Sequence, residues 1–278
     1  MPLEWLQCAY PITPLSCGTA GAMDDNSPAR KETTDRLITA LRENKFILYA
    51  QMIAPLASGG DDRPFQEILI RFREEEEKLL PPGSFFPILE EFRLLPYVDR
   101  WVVSHLAKRM VALRKKRSGV SLPRNGINLS ADTLHDESFA EYVRTRVERD
   151  QLPEGTFTFE LSWHAAIQHV EPLVKIAAQL RPAGCGFTLA GFDGSKGSLD
   201  ILKRFKPEFI KLDYRIVKEI GRGLAASERA ESLTEKCHAL GNKTIAEYVE
   251  SAESLEQLQL IGVDYAQGFG ISLPEPLD

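Results

Sequence analysis

Glu67, Leu69 and Arg71 alternate within FQEILIRF (65–72), so on an extended strand their side chains share one face. Other polar residues interrupt apolar, strand-like segments in the same manner. Asn128 lies in GINLSA (126–131), Glu160 in FTFELSW (157–163), and Lys211 and Asp213 in FIKLDY (209–214). Glu247 stands in KTIAEYV (243–249) and Gln267 in YAQGFGI (265–271). Three carboxylates and an amide converging from separate strands would form an oxygen-rich cup suited to a hard divalent cation. A lysine beside that cup could orient a water or steady a phosphate. Any one of these residues by itself is ordinarily a structural polar group; their recurrence at the ends of successive strands is what points to chemistry.

Positioning such a cup requires strands whose ends meet. FILYAQMIAPL (46–56) and GFTLAGF (186–192) add to the segments above, giving eight strand candidates. Helical patterns lie between them at Leu94–Lys116, Phe139–Arg149, Ile167–Leu180, Ser198–Phe205, Arg215–Leu240 and Ala252–Leu260. This alternation predicts an α/β chain folded as a (β/α)8 TIM-like barrel, with a doubly wound open sheet as the runner-up. In barrels of this kind the chemistry sits at the carboxyl ends of the strands. The link between the first two strands is short and carries Gly59, Gly60, Asp61 and Asp62, leaving no room for a crossover helix. The first strand should therefore be antiparallel to the second. Residues 1–31 lack periodicity and are expected to form a flexible arm, leaving 32–278 as the barrel domain; the helical pattern starts near Thr33, with Leu37, Ile38 and Leu41 on one side.

Composition narrows the function classes. The 278 residues carry 34 basic against 40 acidic side chains, a net charge of −6, so no global basic field would attract a nucleic-acid polymer. No apolar run approaches the ~20 residues of a membrane span. Cys8, Cys17, Cys185 and Cys237 show neither a CxxC nor a metal-ligand spacing, which suits a reduced, cytoplasmic setting. Several features read as ordinary surface: the charge run REEEEK (73–78), and His164 and His169, which miss the i, i+4 spacing of a helical metal pair. GSKG (194–197) is too short for a phosphate-cradling loop.

Over roughly residues 33–277 the chain resembles the EAL domain of cyclic-di-GMP phosphodiesterases. The naming motif reads Glu67-Ile68-Leu69 here, followed by Arg71; LYAQMI (48–53) retains Gln51, with Met52 in place of a proline. PPGSFFPILEE (81–91), DRWV (99–102), NLSA (128–131), FELS (159–162), KLD (211–213), AEYVE (246–250) and YAQGF (265–269) follow in order. The resemblance implies metal ligation by Glu67, Asn128 and Glu160, a second-metal role for Glu247, and a catalytic water held by Lys211. It also implies a dinucleotide groove lined by Gln51, Leu69, Arg71 and Gln267, and hydrolysis of cyclic di-GMP to linear pGpG.

The departure lies at the fifth strand, where the family carries two adjacent aspartates and this chain has Ala190-Gly191. Trp163 replaces a further family glutamate and is expected to fill its space; if restoring both aspartates left the site inactive, Met52, Trp163 or Tyr248 would be the substitutions that reshape the groove. Magnesium or manganese should then find at most one well-formed site, and Asp193 substitutes only if its loop folds inward. The leading expectation is a degenerate EAL domain that binds cyclic di-GMP as a receptor. The alternatives are a weak phosphodiesterase and a ligand-free interaction scaffold. A protein partner or a homodimer is expected in any case.

Overall fold

Phe46–Met52 (β1) and Phe65–Arg73 (β3) pair antiparallel, with Gln51 opposite Glu67 and Tyr49 opposite Leu69. The computed structural model describes residues 38–277, apart from 42, 44, 57–62, 74–78, 81, 117–118, 120, 196 and 221–223. The N-terminal arm, the Gly59–Asp62 link, most of the acidic run and Lys196 therefore lie outside the described residues. Of the helix expected from Thr33, residues 38–41 are described and helical.

From β3 onward the ladder is parallel. Arg124–Asn128 (β5), Phe157–Ser162 (β6), Gly186–Phe192 (β7), Phe209–Leu212 (β8), Lys243–Ala246 (β9) and Tyr265–Ala266 (β10) each pair with the strand before. The sheet closes through the start of the chain. Ala54–Pro55 (β2) follows β1 after a single residue and pairs antiparallel with β10. Ile53 between them donates its amide to the Phe65 carbonyl at 2.9 Å. One segment thus binds β3 with its first half and β10 with its second, giving a barrel of eight staves whose first runs backwards. Short strands Leu79–Leu80 (β4) and Glu275–Pro276 (β11) extend β3 and β1.

Helices connect the parallel strands. Pro82–Glu91 (α1) and Leu95–Lys116 (α2) precede β5, and Phe139–Asp150 (α3) precedes β6. Trp163–Gln168 (α4) and Val170–Leu180 (α5) precede β7, Ser198–Phe205 (α6) precedes β8, and Tyr214–Glu219 (α7) with Leu224–Ala239 (α8) precede β9. Ala252–Leu260 (α9) leads to β10. The apolar stripe of α5 shows why it docks: Leu173, Ile176, Ala177 and Leu180 recur at helical spacing and are buried. The long helix expected over 167–180 is interrupted at His169, and that over 215–240 ends its first piece at Glu219.

Inside the barrel two layers alternate with the period of two that strands impose. The lower layer is apolar: Ile53, Phe65, Phe209 and Ile245 are buried together, with Tyr265 packed against them. Ring centroids of Phe65 and Phe209 lie 4.9 Å apart, and Tyr265 meets both edge-on at 5.8 Å. Two residues further along the parallel strands come Glu67, Lys211, Glu247 and Gln267. On β1 the order is inverted, with Gln51 before Ile53, because that strand runs the other way. The aromatic floor thus supports the polar layer. Phe209→Ala should cost about 3–5 kcal/mol of stability; urea unfolding checks this, and a loss below about 1 kcal/mol would remove the floor from the load path.

Candidate functional site

Lys211 on β8 is fully buried, and its ammonium touches three carboxylates. Nζ lies 2.7 Å from Glu67 Oε2, 2.8 Å from Glu160 Oε2 and 3.3 Å from Glu247 Oε1. Those residues come from β3, from β6 and from the turn after β9. One oxygen from each of the three carboxylates falls within 4.8 Å of the others. Asn128, at the end of β5 and in register with Glu160, donates Nδ2 to Glu67 Oε1 at 2.9 Å. Gln267 donates Nε2 to both Glu67 Oε2, at 2.8 Å, and Gln51 Oε1, at 3.0 Å. Gln51 in turn donates to the Ser272 carbonyl at 2.9 Å. Seven of the nine expected site residues therefore form one connected network, at the mouth where the parallel strands β5 to β10 end.

Charge within this cup is distributed unevenly. Burial would raise the Glu67 pKa, but Lys211, Asn128 and Gln267 together hold it below the usual carboxylate value. Burial and the charges of Glu67 and Glu247 push Glu160 up to about 8, against the pull of Lys211. Burial works against the Lys211 ammonium too, yet Glu160, Glu67 and Glu247 hold its pKa well above normal. The lysine is thus an internal counter-ion, standing among the oxygens that would otherwise face a metal.

The donor set suits one hard cation in part. Glu67, Glu160 and Glu247 offer converging oxygens, with the Asn128 amide alongside. Ala190 is in register with Ser162, two residues beyond the Glu160–Thr188 pair, and its methyl side chain offers no ligand. At this point the β7–β8 register shifts between Leu189 and Phe192, and Gly191 takes φ +74° with open space where a Cβ would lie. Asp193 does not fill the gap: its Oδ1 accepts the Ser195 amide at 2.9 Å, closing its own turn. It is absent from the acidic group among the described residues.

The remaining expected residues stand nearby but outside the network. Leu69 and Arg71 are half-buried on the same face of β3 as Glu67; Arg71 lies 5.3 Å over the Tyr49 ring and donates to its neighbour's carbonyl. Asp213 turns away, capping α7 through the Arg215 amide and pairing with the Arg215 guanidinium at 2.8 Å. Trp163 is buried and meets Phe192 edge-on at 5.6 Å, so it fills space in the wall.

Three supports had no local signal in the sequence. Asp99 on α2, fully buried, accepts from the Ser130 amide, the Ser130 hydroxyl and the Thr133 hydroxyl, anchoring the loop behind Asn128. Burial pushes its pKa up to about 6. Ser272 holds the end of β1 through Gln51 and through the Met52 amide. The third is the 267–270 turn, where a Cβ on Gly268 would fall 2.2 Å from the Val249 carbonyl oxygen. That close backbone approach fixes the turn that carries Glu247.

Comparison with known proteins agrees with this architecture. The EAL domain family model matches residues 34–274, and the chain belongs to the EAL domain family. It is 30% identical over 249 residues to the cyclic di-GMP phosphodiesterase PdeB of Shewanella oneidensis, covering 87% of this chain and 28% of that protein. It is likewise 30% identical to cyclic di-GMP phosphodiesterase PdeF of Escherichia coli, covering 87% of this chain and 32% of that protein. The chain thus spans less than a third of the length of these two relatives. In fold it is similar to the FimX EAL domain of Pseudomonas aeruginosa bound to c-di-GMP, with a TM-score of 0.79, 24% identity, and coverage of 89% and 98% of the two chains.

Two tests follow from the electrostatics. Lys211→Met leaves the carboxylates without their counter-ion and should destabilise the fold by about 3–5 kcal/mol. Magnesium should then recover part of the melting temperature in the variant and do little for the parent. The Glu160 pKa is raised on folding, so its contribution is complete below about pH 4.5 and is lost as pH rises toward about 8. Glu160→Gln should flatten the fall in stability across that window, which unfolding curves at a series of pH values would reveal.

Proposed function

We propose that this EAL domain binds cyclic di-GMP as a receptor and has lost most of the phosphodiester hydrolysis of its relatives. One observation carries the reading. The network of Gln51, Glu67, Asn128, Glu160, Lys211, Glu247 and Gln267 is complete, while Ala190 and Gly191 stand where the family carries its paired aspartates. The groove-lining amides and the cup are retained, while the side chains at 190 and 191 bring no ligand oxygen for a second ion, which suits ligand binding better than two-metal catalysis.

In this reading Arg71 supplies a charge-assisted contact to a ligand phosphate from the rim of the groove. Gln267 Oε1, buried and without a hydrogen-bond partner among the described residues, accepts from a ligand N–H or from water. Leu69 provides apolar contact beside Arg71. Glu67, Asn128 and Glu160, with Glu247, would hold a single magnesium or manganese ion, which when bound polarises a phosphoryl oxygen and acidifies water. Lys211 helps to keep Glu67 ionised for that, and would hold a water at its ammonium once the ion drew the carboxylates away from it. Without the second ion the barrier should stand several kcal/mol higher, or about three or more decades in rate. The retained ligands favour residual phosphodiesterase activity as the second reading.

A receptor of this kind would pass its signal to a partner, either a second protein or a second copy of this chain. None of the described helices is long and apolar enough to cross a membrane.

Calorimetric titration with cyclic di-GMP, in EDTA and then in magnesium or manganese, tests the receptor reading directly. Binding should persist in EDTA, and product analysis should show little linear pGpG. Turnover at the rate of ordinary phosphodiesterases would overturn it. Arg71→Ala should weaken binding by about 1.5–3 kcal/mol; unchanged affinity would take Arg71 out of the site. Restoring Ala190→Asp together with Gly191→Asp should create metal-dependent pGpG formation, with neither single change sufficing. The Gly191 change meets no steric block but adopts a left-handed backbone, a strain of about 1–2 kcal/mol that aspartate tolerates better than most residues.

A further inference from the structure

Four non-glycine residues among those described have positive φ: Arg93, Gln151, Lys206 and Tyr248. Gln151 and Lys206 are the left-handed C-caps of α3 and α6, and Arg93 lies in the turn just after α1. Left-handed residues are common at such helix ends. Tyr248, at φ +60°, has no such setting: it lies two residues past the end of β9, between Glu247 and Val249.

Its neighbours explain the twist. Glu247 must turn its carboxylate toward Lys211, while Val249 is buried at 1% exposure. The Val249 amide donates to the Gln267 carbonyl at 3.0 Å, and the Val249 carbonyl accepts from the Gly270 amide at 2.9 Å. With Gly268 pressed against the same backbone, the turn is held from both sides. Glycine would satisfy this conformation without strain. A bulky aromatic residue here is strained, and such strain persists at functional sites where the surroundings over-determine it. Burial does not compensate, because Tyr248 is 68% exposed.

Next to it stands a second exposed ring. Tyr214, 51% exposed, follows β8, the parallel neighbour of β9. The two ring centroids are 5.8 Å apart at an interplanar angle of 63°. Two phenols therefore project at adjacent strand ends, on the mouth that holds the carboxylate–lysine cup. An exposed aromatic face gains stability only when something flat covers it, and nucleobases do so whatever their identity.

We propose that Tyr248, braced edge-on by Tyr214, is a stacking platform for one purine of the bound cyclic dinucleotide. This rests on the receptor reading of the same site. The platform fixes a base while the cup and Arg71 hold the phosphates, and the strain at Tyr248 is retained for ligand binding at the expense of the free fold.

The test sets stability against affinity in the full chain. Tyr248→Gly, Tyr248→Phe and Tyr214→Ala are titrated with cyclic di-GMP in EDTA, and each is melted without ligand. Tyr248→Gly should raise the melting temperature while weakening binding roughly 5- to 150-fold, the range that loss of one base stack corresponds to. Tyr248→Phe keeps the ring face and should bind within about three-fold of the parent. Tyr214→Ala should weaken binding by less than Tyr248→Gly. Parent-like affinity in Tyr248→Gly overturns the platform while leaving the receptor reading standing. Equal weakening by Phe and Gly assigns the effect to the hydroxyl and also overturns it. Absence of binding by the parent removes the receptor reading, and the platform with it.

Discussion

A fully buried ammonium must be matched by charge and hydrogen bonds, because desolvating it uncompensated would outweigh much of a domain's net stability. Lys211 is matched by carboxylates from three other places in the chain: β3, β6 and the turn after β9. That requirement constrains the sheet. A slip of one residue in β8 would turn Lys211 outward and bring Ile210 into the cup. The registers that set Lys211 against Ile245 and Asn128 against Glu160 are thus also the registers that build the site. Stability and function share one set of contacts here, and an inner layer of ionised groups is tolerated because the aromatic floor below it keeps the barrel filled.

The reversed first stave solves a second problem. β1 and β2 close the barrel, so the seam between the beginning and end of the sheet runs beside the cup. Gln51 and Gln267 bond across that seam, and Ser272 holds the end of β1 from the same side. Residues that a ligand would meet are therefore the ones that staple the sheet shut. Their amide groups are held in place before any ligand arrives, Gln51 by the Ser272 carbonyl and Gln267 by the Gln51 and Glu67 side chains, which lowers the ordering cost of binding.

The end of β7 stands apart from the Lys211 network. Ala190 and Gly191 lie where β7 shifts register against β8, and neither contributes to the Lys211 network. Within the cup, burial and the charges of Glu67 and Glu247 push Glu160 toward the neutral form, while Lys211, Asn128 and Gln267 keep Glu67 ionised.

Period-two alternation and the placement of Glu67, Asn128, Glu160, Lys211 and Gln267 in apolar segments were enough to specify the strands, their inward faces and the cup, because side-chain direction on a strand follows from parity alone. The short link after β1 was enough to reverse the first stave. The ends of elements were not legible. KTIAEYV and YAQGFGI read as full strands, yet pairing stops at Ala246 and Ala266, since the two turns interlock through Val249, Gly268 and Gly270. Nor could local pattern tell that Asp213 caps a helix while Glu247 enters the cup, or that Asp99 reaches from α2 to hold the loop behind Asn128. Those outcomes depend on which distant backbone lies within hydrogen-bonding distance, and that is decided only when the barrel closes.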